Sequence, residues 1–86
     1  MDTFDSAVIS AFLKKQRQLF PEDVATTEEE AEFFLEDVCA IVCDDDKDAI
    51  EYMKDNLDVS GMSDSEILSC EEVFSVGDGR YLIVEG

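Results

Sequence analysis

Eighty-six residues, 45% of them hydrophobic, bound one small domain spanning 1–86 whose core is thin. Six basic against 23 acidic residues leave a formal charge of -17. Charge of that sign repels phosphate backbones and anionic lipid surfaces, which argues against nucleic acid and membranes as partners and favours basic proteins or cations.

The opening stretch MDTFDSAVIS has no basic leader region, and the longest apolar run, VCAIVC at 38–43, falls far short of a bilayer span. Three cysteines without an export signal fit reduced thiols, so the expected location is cytoplasmic, in a bacterial-type cytosol.

Phe4, Val8 and Phe12 recur every fourth residue, with Ala7, Ala11 and Leu19 beside them, and predict a first helix from about Thr3 to Leu19. Asp2 and Asp5 suit the positive end of its dipole, and Lys14, Lys15 and Arg17 the negative end. Pro21 stops it by disfavouring helical geometry at Phe20.

A second helix starts at TTEEEAEFF. Thr27 and Glu30 have the spacing of a capping box, in which a hydroxyl takes one free amide and the carboxylate returns to another. Ala31, Phe34, Leu35, Val38 and Val42 then mark its buried face. The stripe resumes in phase at Ala49, Ile50, Met53 and Leu57, but a continuous helix would place Asp46 in the apolar face. The expectation is a break near Asp44–Asp46 and a third helix from about Asp46 to Leu57; one long helix is the alternative.

Ser63 and Glu66 form a second capping box, and Met62 and Ile67 have the spacing of a hydrophobic staple, which predicts a short fourth helix from about Asp64 to Cys70. Val73–Val76 and Arg80–Val84 are β-branched and aromatic around Gly-Asp-Gly, a hairpin signal. With Asp78-Gly79 as a two-residue turn, Val76 faces Tyr81 and Phe74 faces Ile83, leaving Val73, Ser75, Leu82 and Val84 on the other face. An isolated hairpin is marginal in water, so helices must cover at least one side.

Several chemical readings fail on the residues. Asp44, Asp46 and Asp48 open like a calcium loop, but Ala49 stands where the sharp turn needs glycine and Asp55 where a bidentate glutamate belongs. Cys39 and Cys43, one helical turn apart, with Cys70 distant, fall short of the four Cys or His ligands of a closed zinc site. An Asp could complete a set, but the spacing matches no familiar zinc motif, and the cysteines read as small buried hydrophobes. The missing histidine also removes the usual base for a serine or cysteine nucleophile. The GDGR turn lacks the lysine and following helix of a phosphate loop.

The segments FLKKQRQLF, TEEEAEFFLEDV, VSGMSDSE and above all the terminal GRYLIVEG resemble a group of short acidic bacterial proteins, some of which carry a glyoxalase label. The resemblance covers nearly the whole chain and implies a small domain of unknown role. It carries over no catalytic residue, because glyoxalases of the vicinal-oxygen-chelate type hold a metal with His and Glu on βαβββ modules.

The expected architecture is α+β, with three or four amphipathic helices followed by a C-terminal antiparallel β-hairpin packed against them. The expected role is a non-enzymatic protein-interaction module, with a protein partner or as a homodimer through the hairpin. Its candidate surface comprises Glu29, Glu36, Asp44, Glu51 and Asp55, a negative face if the second and third helices are collinear, together with Val73, Leu82 and Val84. No catalytic residue, cofactor or metal ligand is expected. The alternatives are an acidic inhibitor or antitoxin-like protein covering a basic surface, and a small enzyme of the glyoxalase label.

Overall fold

The computed structural model describes residues 4–84. The first helix, α1, runs Ser6–Lys15 and tightens into a 3-10 turn at Gln16–Gln18. Asp5 caps it, accepting from the Val8 amide at 3.1 Å. The expected start at Thr3, with Asp2 at the dipole, lies outside the described residues.

Helix α2 spans Glu28–Asp37 and is capped by Thr27, whose hydroxyl accepts from the Glu30 amide at 3.2 Å. The reciprocal half of the expected box is displaced by one residue: Glu30 accepts from the backbone and hydroxyl of Thr26, at 2.9 and 2.7 Å. At its other end Cys39 adopts φ 57°, the Cys39 amide donates to Glu36 O, and the Ala40 amide donates back to Leu35 O. This is a Schellman stop, and it ends the helix before the second half of VCAIVC.

That stop overturns the expectation that Val42 extends the buried face of the second helix. Ile41–Cys43 is instead a strand, β1. The break expected before the third helix is present: Asp45 caps α3, Asp46–Asn56, accepting from the Asp48 amide at 2.9 Å. Helix α4, Asp64–Leu68, carries the full Ser63–Glu66 capping box. Strands β2, Val73–Ser75, and β3, Tyr81–Ile83, complete an antiparallel sheet in the order β1-β3-β2.

The hairpin register differs by one residue from the two-residue turn. Gly77 and Gly79 both take positive φ, so the loop holds three residues and the Val76 amide donates to Arg80 O at 3.1 Å. Phe74 therefore faces Leu82, and Val73 faces Ile83. A slip of one residue exchanges the faces of a strand. Phe74, Leu82 and Val84 join Val8, Phe12 and Leu35 beneath α1 and α2, whereas Cys43, Val73 and Ile83 join Ile50, Met53 and Ile67 beneath α3 and α4.

The sheet is thus covered on both faces. Its β2 edge is also closed, because Gln18 Nε2 donates to Glu71 O and Val73 O and Lys15 Nζ donates to Ser75 O, all at 2.9 Å. Side chains that occupy outward carbonyls keep that edge from templating another strand.

Candidate functional site

The site begins with a buried amide. Gln16, 3% exposed, is the buried polar residue of the core. Its Nε2 donates to Leu13 O and Ala25 O, and its Oε1 accepts from the amides of Val24 and Ala25. One side chain therefore stands in for the ladder partners that the 20–26 loop lacks and fixes that loop to the end of α1. Ala25 is held inside, and Val24, next to it, is turned outward at 39% exposure.

Facing Val24 is α2, whose two adjacent rings have opposite fates. Phe34 points inward, its ring 5.7 Å from Phe12 and edge-on to Phe20 at 5.5 Å. Two residues before Leu35 the helix has turned by about 200°, so Phe33 points away from the core and is 73% exposed. Val24, Phe33 and Phe34, together with Glu29, Glu30 and Asp37, line a shallow groove of about 440 Å³. Single exposed apolar residues are ordinary, but here two of the three large exposed hydrophobics of the described chain line one groove.

The rim is uniformly acidic. No lysine or arginine occurs between Arg17 and Lys47, and Arg17 is itself paired with Asp23 at 2.9 Å. Glu30 is held by Thr26, whose backbone and hydroxyl donors keep its carboxyl below the usual range. The carboxylates of Glu29 and Asp37 have no hydrogen-bond or ion-pair partner among the described residues and stand free beside the ring.

Elsewhere the carboxylates do structural work. Arg80 reaches both Asp5 and Asp78, at 2.8 and 2.7 Å, and its hydrogen bonds hold both carboxyls below their ordinary range. Donors on Ser63 do the same for Glu66. All of these shifts are downward, in the direction of a permanently ionised cap and away from a group that exchanges protons near neutrality. Burial, helped by Asp48, Asp44 and Asp45, pushes the Cys43 thiol up, and burial does the same for Cys70.

The expected surface is dispersed. Glu29, Glu36, Asp44, Glu51 and Asp55 are all exposed, but β1 separates α2 from α3, and the two helices cover opposite faces of the sheet. The continuous negative face required collinear helices and does not form. Val73, Leu82 and Val84 are buried within the chain by those helices and present no surface. Cys39 and Cys43 do not share a helical turn: one is exposed at the helix stop and the other is buried in β1. Asp45 and Asp46 are spent on helix capping, and among the described residues no group of carboxylates and cysteines is arranged to hold a metal.

Phe33 and Val24 escaped the sequence reading. The available signal was the FF pair itself, in which one ring falls on the buried stripe and the other must fall opposite it. No described helix is long and apolar enough to cross a membrane. No protein-family model matches the chain, and comparisons with curated proteins and with solved structures find no match.

Proposed function

We propose that this protein is a non-enzymatic interaction module of the cytoplasm that docks a basic protein surface. The observation that carries the reading is Phe33, a ring 73% exposed in a groove whose charged lining residues are all carboxylates. A buried apolar anchor within a charged rim is how protein interfaces concentrate their binding energy. The charge of -17 supports the sign of the partner, since it attracts basic surfaces over long range and repels nucleic acid. An inhibitor or antitoxin-like role, in which the acidic surface covers a basic site, is one form of the same reading. The hairpin is not the docking surface, because its apolar side chains are already used inside the chain.

Native mass spectrometry of the protein drawn from its own cell tests this. The expected result is a stoichiometric complex with a basic protein, one that weakens steeply between about 50 and 300 mM salt and disappears on Phe33→Ala. A chain that stays alone at all salt concentrations, or that pairs with an acidic protein, would contradict it.

A further inference from the structure

The groove also specifies what fits it. Glu29, Phe33 and Asp37 recur every fourth residue along α2, so a carboxylate stands one turn before the ring and another one turn after it. At 1.5 Å per residue the two carboxylate-bearing positions are about 12 Å apart. Beyond its capped first turn the backbone of α2 satisfies its own donors and acceptors, so it offers no free edge. An extended segment laid there would leave its amides without partners, whereas a helix brings its own.

Building on the interaction reading above, we infer that the Val24–Phe33 groove takes a short amphipathic helix of a partner protein, one carrying a large apolar side chain with Lys or Arg four residues to either side. Such a helix repeats the 12 Å span on the other side of the contact, so cation, anchor and cation meet carboxylate, ring and carboxylate in register. The anchor lies against Phe33, Phe34 and Val24. A second copy of this chain is not the occupant. It would bring the same acidic rim against itself, and no segment of the chain carries Lys or Arg four residues on both sides of an apolar residue.

The test uses the full chain and three synthetic helical peptides of about fifteen residues, a length near the minimum for a stable isolated helix. One carries Lys-x3-Leu-x3-Lys, one has the central Leu replaced by Ala, and one has the same composition with both Lys moved by two positions. Binding is read by fluorescence anisotropy and by amide shift mapping. The first peptide is expected to perturb residues within 24–37. Its affinity should fall about tenfold with Phe33→Ala or with the Ala peptide, and several-fold with the permuted peptide or with Glu29→Gln/Asp37→Asn. Equal binding of all three peptides, unaffected by Phe33→Ala, would overturn the helical register while leaving a basic partner in place. No binding of any cationic peptide at about 50 mM salt would overturn the interaction reading as well. Circular dichroism of each variant confirms that the fold is intact.

Discussion

One face of the sheet meets rings and the other meets chains. Beneath α1 and α2, Phe12 lies between Phe34 and Phe74, at 5.7 and 5.5 Å, with Phe20 edge-on behind. Beneath α3 and α4 the packing is done by Met53, Ile67, Ile83, Val73 and Ile50, with Tyr52 and Tyr81 only partly buried at the margin. The aromatic half has hydrophobic surface left over: Phe33 and Val24 stand outside it, while α3 and α4 expose no large hydrophobic residue. Ile41, 37% exposed on the edge strand, is a single such residue on the other face, whereas the aromatic half gathers two of them into one groove. A small domain gains nothing in stability from an exposed ring, which is why the docking proposal is placed on that half.

The largest way to break the symmetry is at the centre of the ring stack. Phe12→Ala removes a fully buried ring that touches two others and is expected to cost about 3–5 kcal/mol, enough to unfold a domain of this size. Met53→Ala on the opposite face should cost less, about 2–4 kcal/mol, because a flexible thioether leaves a site that relaxes more readily. Urea titration of both variants reads the difference, and equal losses would remove the distinction between the halves.

Next in size is Gln16→Leu, which leaves the amides of Val24 and Ala25 and the carbonyls of Leu13 and Ala25 without their partner. A loss of about 2–3 kcal/mol is expected, with amide exchange quickening over residues 20–26 before anywhere in α3. Uniform quickening across the chain would deny that this side chain holds the loop. In the other direction, Cys39→Gly should raise stability by about 1 kcal/mol, since the helix stop holds a non-glycine residue at φ 57°.

The smallest effects come from acid. Asp5, Asp78, Glu30 and Glu66 have carboxyls lowered on folding from ordinary values of 3.8 and 4.5. A group whose folded pKa lies below its unfolded one contributes fully above the ordinary range, and the contribution fades as pH falls through it. Denaturant midpoints should therefore decline below about pH 4.5, and Glu66→Gln should flatten that decline through α4 alone. A midpoint that keeps rising into acid would show that relief of charge repulsion outweighs the caps.

How much of this could be read from the chain differs between the same two halves. The aliphatic half was legible because its signals are local: Ser63 and Glu66 name the start of α4 within four residues, and Asp45 stands ahead of a clean apolar stripe. The aromatic half depends on distant partners. VCAIVC fits a buried helix as well as a strand, and its pairing with Leu82 lies forty residues away. A glycine would have announced the helix stop; a cysteine in the same conformation does not. Gly-Asp-Gly supports loops of two or three residues, and the choice fixed which of Leu82 and Ile83 faces Phe74. Gln16 carries no signal that sets it apart from other polar helix positions, although its bonds to the 20–26 loop hold Val24, the groove residue opposite α2, in place.

Strand β1 is what divides the chain into two covered faces, and amide exchange at three positions tests it directly. Val76 and Val84 donate to Arg80 and Glu72, so the even-numbered residues of β3 bond toward β2 and the odd-numbered ones, Tyr81 and Ile83, toward β1. Ile41 and Cys43 should then be protected, while Val42 between them exchanges much faster. Equal protection of all three, continuous with that of α2, would restore the unbroken helix and dissolve the two-faced sheet on which the groove depends.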